Sequence, residues 1–250
     1  MGVRRKIAII GCEPKDQIKF KYGYKKYDLR YFVRRRLKEF GKLIESKTYW
    51  PVEDKKDFPG SKYVDAIIIS GSILDVNDKT LSEHEWMRKL LDFIADVHQK
   101  VPMLGICFGH QAIAKVFGSD VKRYNNDIFY EIGFEPTTLT QFGQADPLFN
   151  RFSKNFTAAY SHFCHIDRTP TGGIMLAESG NPNNHSIQAF RVNTLTYGVQ
   201  FHPEFWKINI IELAKAREDI IKENMPDRKI NVSDKNRQDQ KILKNFIDMI

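Results

Sequence analysis

The sequence lacks any long apolar run, and it contains only three cysteines in 250 residues. Its longest apolar runs, near Ile7 and Ile67, have the length of a buried strand and fall far short of the roughly 20 residues that cross a membrane. The basic start of the chain has neither a long apolar segment nor a small-residue cleavage site, so it does not predict a signal peptide. We therefore expect a cytoplasmic protein that does not enter a membrane.

The three cysteines form no C-x-x-C pair, and an odd number does not suit a secreted disulfide framework. A reducing compartment is the simpler interpretation, and it leaves a thiol available for chemistry. His162, Cys164 and His165 lie close together in the sequence, but their number and spacing do not match a zinc site. We expect no metal and no organic cofactor.

The chain is basic, with a net charge of +8 and a pI of about 9.2. Part of the excess lies between Lys19 and Arg36. Such charge can attract nucleic acid or an acidic partner. No recognised nucleic-acid motif accompanies it, so a solvated basic surface is the commoner interpretation. Nucleic acid is therefore not the partner that the sequence favours.

The first half of the chain alternates strand-like and helix-like segments. Apolar residues at helical spacing predict a helix over 29–40, and Gly41 can end it. Ser82, with Glu85 three residues later, has the pattern of a capping box and predicts the start of another helix. Buried strands separated by helices indicate a parallel sheet covered on both faces.

The second half changes character. Short alternating segments over residues 127–200 predict antiparallel strands added to the same domain. We expect a main domain over residues 1–225 and a charged, helical C-terminal extension over 226–250. Within that extension, four apolar residues share one side of a predicted docking helix: Ile242, Leu243, Phe246 and Ile247.

The strongest local signal is the segment GICFGHQ, which places Cys107 between Gly105 and Gly109 after a strand and before a helix. This is the thiol form of the nucleophile-elbow pattern. A sharp turn strains the nucleophile's backbone, and small neighbours avoid collisions. The helix N-terminus favours the thiolate, and its N–H groups can bind an oxyanion. The alternative is that Cys107 is a small buried hydrophobe at the end of a core strand.

A second signal is the segment YGVQFHPE, which ends in His202 and Glu204. If the strand continues through His202, the two side chains point to the same side of the sheet. The imidazole could then accept a thiol proton while the carboxylate fixes its orientation. The alternative is an ordinary His-Pro-Glu turn at the surface.

Together these segments resemble the class I (triad-type) glutamine amidotransferase family. Residues 161–167 and 176–190 are also similar to the amidotransferase domain of guanosine monophosphate synthetase. The resemblance implies an α/β, flavodoxin-like fold: a mixed, mostly parallel sheet with helices on both faces and a small antiparallel extension. It also implies that Cys107, His202 and Glu204 form a catalytic triad.

The resemblance implies further site residues. The backbone N–H groups of Ser72 and Phe108 would form the oxyanion hole. Many relatives have glycine where this chain has Ser72, but serine keeps the N–H group. The groups that hold the substrate's α-amino and carboxylate ends would belong to Gly71, Gln111, Ser161 and His162.

The implied reaction is hydrolysis of a γ-glutamyl amide through a γ-glutamyl thioester, with release of ammonia or an amine. Too few residues follow Glu204 for a fused synthetase domain. One hypothesis is a glutaminase that supplies ammonia to a separate synthetase subunit. A second is a γ-glutamyl peptidase that acts without a partner. A third, which an intact triad disfavours, is a non-enzymatic basic regulator. The sequence leaves the first two open.

Overall fold

The computed structural model describes residues 4–14, 20–22, 25–27, 29–41, 43–52, 58–123, 131–166, 168–181, 186–224 and 228–250. The side chains of residues 20–22 and 25–27, and of Asp78, Ile220 and Asn224, are not part of this description. Two predicted features therefore lie partly outside the described residues: the basic stretch that begins at Lys19, and the alternating segment that begins at Asp127.

Strands and helices alternate in the first part of the chain. The strands are β1 (Arg5–Ile10), β2 (Phe20–Tyr22), β3 (Lys25–Tyr27), β4 (Ile44–Tyr49), β5 (Ala66–Ile69), β6 (Met103–Ile106), β7 (Val121–Arg123), β8 (Glu131–Leu139), β9 (Asn155–His162), β10 (Cys164–Ile166), β11 (Ile174–Ser179), β12 (Ile187–Arg191) and β13 (Thr196–Val199). The helices are α1 (Leu29–Glu39), α2 (Asp78–Glu83), α3 (Glu85–Val97), α4 (Phe108–Val116), α5 (Gln141–Ala145), α6 (Lys207–Ala216), α7 (Glu218–Asn224) and α8 (Lys241–Asp248), with 3-10 turns at Ser61–Tyr63 and Pro147–Phe149.

Nine of these strands form one mixed sheet in the order β4-β1-β5-β6-β13-β12-β11-β8-β9. Along this order, each pair of neighbouring strands from β4 to β13 is parallel. Each pair of neighbours from β13 to β9 is antiparallel. The predicted antiparallel extension therefore continues the parallel sheet at one edge. Two short antiparallel pairs, β10 with β7 and β2 with β3, lie apart from it.

Helices cover both faces of the sheet. Ile7 and Ile9 of β1 belong to the core that includes buried residues of α1 and α8. Ala8 and Ile10 belong to the opposite core, which includes buried residues of α3 and α4. A strand buried on both faces must be apolar at every position, which explains the continuous run in β1. The predicted α/β, flavodoxin-like fold is confirmed.

The prediction of a helix starting at Ser82 is wrong. Asn77 caps the earlier helix α2, because its side chain accepts a hydrogen bond from the Thr80 N–H at 2.9 Å. The chain then becomes extended at His84, and α3 begins at Glu85. Ser82 instead donates its hydroxyl to the carbonyl of Lys79 at 2.6 Å. A side-chain cap therefore starts α2, whereas α3, the helix whose start was assigned to Ser82, has no side-chain cap at its N-cap residue His84.

Two arginines of the basic stretch are structural rather than solvated. Arg36 is buried and donates to the carbonyl of Phe205 at 2.8 Å, with its guanidinium over the ring of Trp206. Arg30 is also buried, and its guanidinium lies 3.4 Å from the centre of the Trp50 ring. Some of the positive charge of α1 therefore belongs to arginines that pack against aromatic rings, and not to the solvated surface.

The C-terminal part of the chain packs on the main core. The four apolar residues of α8 that were expected to share one side are buried there. Before this helix, Thr157 of β9 exchanges backbone hydrogen bonds with Asn236 and Gln238. In the described ranges, no helix has the length and apolar composition needed to cross a membrane.

Candidate active site

Cys107 occupies a sharp turn between β6 and α4. Its backbone has φ 52° and ψ −100°, a positive-φ conformation that residues other than glycine rarely adopt. The Cys107 N–H donates to the carbonyl of Val199 at 2.8 Å, and its carbonyl accepts the Gln111 N–H at 3.0 Å. These bonds hold the strained residue in place from both sides.

The two glycines around Cys107 are required by close packing of strand against helix. A Cβ atom at Gly105 would lie 2.4 Å from the carbonyl carbon and oxygen of Gly109. A Cβ atom at Gly109 would lie 2.5 Å from the carbonyl oxygen of Ile69. Both distances are far below van der Waals contact, so the G-x-C-x-G pattern reflects this crossing of backbones.

His202 and Glu204 form a buried pair in the turn that follows β13. Their Nδ1 and Oε1 atoms are 2.7 Å apart. The strand ends at Val199, so the condition under which strand alternation would align the two side chains is not met. Instead, the His202 N–H donates to the Ala159 carbonyl at 2.7 Å, and the imidazole stacks on the Phe205 ring. The turn, rather than strand alternation, brings the two side chains together.

The side chains of Cys107 and His202 are neighbours, and the negative charge of Cys107 helps to raise the pKa of His202. Gly71 adjoins both residues, since a Cβ atom there would lie 3.0 Å from His202 Cε1 and 3.6 Å from Cys107 Cβ. A larger residue would press on the imidazole. The thiol of Cys107, the imidazole of His202 and the carboxylate of Glu204 thus lie next to one another in this order.

Opposing effects act on the pKa of His202. Burial lowers it, whereas the negative charges of Glu204 and Cys107 and the hydrogen bond to Glu204 raise it, with a net increase over the ordinary value. Burial raises the pKa of the other two thiols, Cys12 and Cys164, and so favours their neutral form. The imidazolium form of His202 is therefore favoured beside Cys107.

A pocket opens in front of Cys107. It is lined by six of the residues expected at the site and by five others: Ser72, Cys107, Phe108, Gln111, Ser161 and His162, together with Ile73, Leu74, Asp75, Phe163 and Arg217. Gly71, His202 and Glu204 adjoin Cys107 as described. The structure therefore brings all nine expected site residues into one region.

Two of the expected substrate-binding side chains are held by the protein itself. The Gln111 amide donates to the Cys164 carbonyl at 3.0 Å and to Gln200 Oε1 at 3.3 Å. The His162 ring contacts the Cys164 carbonyl at 2.8 Å and Glu131 Oε2 at 2.8 Å. Because both ring nitrogens of His162 are engaged, its main chain is the part that can offer polar groups to the pocket. Across the described ranges, no cluster of three or more His, Cys, Asp or Glu side chains could hold a metal ion.

Sequence reasoning missed Arg217, which lines the same pocket. It lies at the end of α6 and donates from Nη1 to Ser161 Oγ at 3.0 Å. No local pattern distinguishes this arginine from the many basic residues of a charged helical segment. Only the fold shows that it faces the thiol.

The family description "Glutamine amidotransferase class-I" matches residues 26–207. The chain belongs to the class I glutamine amidotransferase family. It is 32% identical over 189 residues to a subunit of the glutamine-hydrolysing GMP synthase of Archaeoglobus fulgidus, an alignment that covers 74% of this chain and 87% of that protein. The predicted family and enzyme class, a glutamine amidotransferase with a cysteine nucleophile, are confirmed.

Solved structures of other glutamine amidotransferases share the fold. A glutamine amidotransferase of Methylobacillus flagellatus superposes with a TM-score of 0.72 at 17% identity, covering 100% of this chain and 96% of that one. One from Thermotoga maritima gives a TM-score of 0.67 at 17% identity, covering 98% and 91%. At this identity the likeness establishes the architecture alone.

Proposed function

We propose that this amidotransferase hydrolyses a γ-glutamyl amide, with Cys107 as nucleophile, His202 as proton carrier and Glu204 as the residue that orients His202. One observation carries the proposal: a thiol on a strained turn lies beside an imidazole that is paired with a buried carboxylate at 2.7 Å. This is the arrangement that activates a cysteine nucleophile.

In the proposed reaction, the Cys107 thiolate attacks the γ-carbonyl carbon of the substrate and forms a C–S bond. His202 donates its proton to the departing nitrogen as the C–N bond breaks, which releases ammonia or an amine. A water molecule then attacks the thioester while His202 accepts its proton. The C–S bond breaks, glutamate leaves, and the thiolate is regenerated.

The proposed oxyanion hole consists of the backbone N–H groups of Ser72 and Phe108. Ser72 follows β5 and Phe108 follows β6, two strands that pair in parallel, so both groups lie at the same edge of the sheet. Phe108 is also the first residue of α4, where backbone N–H groups point toward a developing negative charge. We assign the binding of the substrate's α-amino and carboxylate ends to Gly71, Gln111, Ser161 and His162.

The physiological amide that we favour is glutamine, with ammonia passing to a separate synthetase chain. The relative from Archaeoglobus fulgidus supports this choice, because its name describes one subunit of a glutamine-hydrolysing GMP synthase. We therefore expect a partner chain for this protein. The surface around the pocket mouth is where such a partner would receive ammonia.

The purified chain should hydrolyse L-glutamine slowly by itself and faster with its synthetase partner. The test compares glutamate release from L-glutamine and from a panel of γ-glutamyl dipeptides. Turnover of the dipeptides but not of glutamine would replace this proposal by an independent γ-glutamyl peptidase. If no γ-glutamyl compound is turned over, the enzymatic proposal fails, and salt-dependent duplex binding becomes the measurement of interest.

Replacing Glu204 with glutamine should move the alkaline limb of the kcat/KM profile to lower pH. The carboxylate raises the pKa of His202, so its removal makes His202 lose its proton at a lower pH. The proton that His202 gives to the leaving nitrogen is then missing in more of the enzyme. The measurement is glutamine hydrolysis by wild type and Glu204→Gln across the pH range.

The matched control is Glu131→Gln, which removes a buried carboxylate beside His162 instead of His202. Its alkaline limb should stay in place. An unmoved limb in Glu204→Gln, or a shift to higher pH, would contradict the assigned role of Glu204.

A further inference from the structure

Arg217 places a guanidinium group in the wall of the active-site pocket. It lines this pocket together with Cys107, Ser161 and His162. The residue lies beyond positions 26–207, which are the positions that the family description matches. Arg217 is therefore a feature of this chain's own helical C-terminal part.

The position of the guanidinium is fixed by its neighbours. Nη1 donates to Ser161 Oγ at 3.0 Å, and the guanidinium carbon lies 5.8 Å from the centre of the Phe163 ring. The backbone is fixed too, since the Arg217 N–H donates to the Leu213 carbonyl at 3.1 Å at the end of α6. An arginine held in this way loses little side-chain freedom when it binds a further group.

The group remains a cation at neutral pH. The pKa of Arg217 is lowered to about 10, because the lowering by burial exceeds the increase from the negative charges of Cys107 and Glu13. A partly buried cation interacts with an anion more strongly than a solvated one does. The planar guanidinium also matches the geometry of a carboxylate.

The proposed reaction determines which end of the substrate reaches Arg217. The γ-carbonyl carbon must lie at the Cys107 sulfur for attack. Binding of the α-carbon end is assigned above to Ser161 and His162, and Arg217 lines the same pocket and donates to Ser161. The anionic group at that end of a γ-glutamyl compound is its α-carboxylate.

We propose that Arg217 binds the α-carboxylate of the γ-glutamyl substrate and makes the pocket select substrates that carry this group. The inference rests on the proposed hydrolysis of γ-glutamyl amides and adds a specificity-determining residue to it. Amides of similar length without the carboxylate gain nothing from Arg217.

The test compares L-glutamine with 4-aminobutanamide, which is glutamine without its α-carboxylate. Replacing Arg217 with glutamine should lower kcat/KM for glutamine about 10- to 100-fold, the effect of losing a hydrogen bond to a charged group. The loss should lie mainly in KM. The kcat/KM for 4-aminobutanamide should stay as in wild type, and Arg217→Lys should recover part of the loss on glutamine.

A second measurement does not depend on turnover. Calorimetry on the Cys107→Ala protein measures the affinity for L-glutamine with and without the additional Arg217→Gln change, which should weaken binding by the same factor. Lys222→Gln, an exposed charge on the neighbouring helix α7, is the matched control and should leave affinity and activity unchanged.

Two results would overturn the inference. One is that Arg217→Gln lowers kcat/KM equally for glutamine and 4-aminobutanamide and also slows alkylation of Cys107 by iodoacetamide. Arg217 would then act on the thiolate and not on the substrate's carboxylate. The other is an unchanged KM and affinity for glutamine in Arg217→Gln. Both differ from failure of the proposed function, in which the wild-type protein itself hydrolyses no γ-glutamyl amide.

Discussion

Replacing Cys107 with alanine is expected to reduce glutamine hydrolysis by about 10⁶-fold, the loss seen when a triad nucleophile is removed. The pocket, the His202–Glu204 pair and the backbone N–H groups all remain, so only the group that bonds to substrate carbon is lost. Glutamate release by matched amounts of wild type and variant is the measurement, with circular dichroism to confirm folding.

Two variants sharpen the Cys107 result. Cys107→Ser keeps the shape of the side chain but supplies a poorer nucleophile, so it should also be nearly inactive. Cys12→Ala removes a buried thiol that does not line the pocket and should retain activity. Comparable turnover by wild type and Cys107→Ala would rule out Cys107 as the nucleophile.

Replacing Arg237 with leucine is expected to lower the free energy of unfolding by about 3–5 kcal/mol, the usual cost of breaking a buried ion pair. Arg237 and Asp239 are 5% and 0% exposed and join at 2.6 Å. The change leaves the Asp239 carboxylate buried without its cation. Urea unfolding of wild type and variant measures the loss.

The Arg237 pair also supports the turn that holds His202 and Glu204. Arg237 donates to the Phe205 carbonyl at 2.7 Å, and Asp239 accepts the Ala159 N–H at 3.1 Å. The Ala159 carbonyl in turn accepts the N–H of His202. Activity should therefore fall along with stability.

The matched control for the Arg237 prediction is Lys207→Gln. It breaks an ion pair with Asp234 whose side chains are 46% and 49% exposed. Solvent screens such a pair, so the cost should be about 0–1 kcal/mol. A similar small loss in Arg237→Leu would mean that Asp239 reaches water and that the turn does not depend on it.

Local patterns in the sequence predicted much of the fold and the sharp turn at Cys107. The apolar run before Gly11 and the spacing from Leu29 onward depend on a few neighbouring residues, and periodicity captures both. The turn at Cys107 was predictable because small residues on either side are needed wherever strand and helix backbones nearly touch. Burial in a two-faced sheet made the remaining parallel strands recognisable.

Features that depend on distant contacts could not be predicted in this way. Arg217 and Arg237 look like surface charges in the sequence, yet Arg217 lines the pocket in front of Cys107 and Arg237 pairs with a buried carboxylate. Strand alternation would have aligned His202 and Glu204 only if the strand had continued, whereas a turn brings them together. In each case the decisive partner is set by tertiary packing.

The central claim is that a γ-glutamyl group is carried by the Cys107 sulfur during turnover. The most direct test quenches the wild-type protein in acid while it hydrolyses L-glutamine and then maps its peptides by mass spectrometry. The account predicts one γ-glutamyl group on the peptide that contains Cys107 and none on that peptide in Cys107→Ala. A γ-glutamyl group found on Cys12 or Cys164 instead, or turnover that persists in Cys107→Ala, would contradict it.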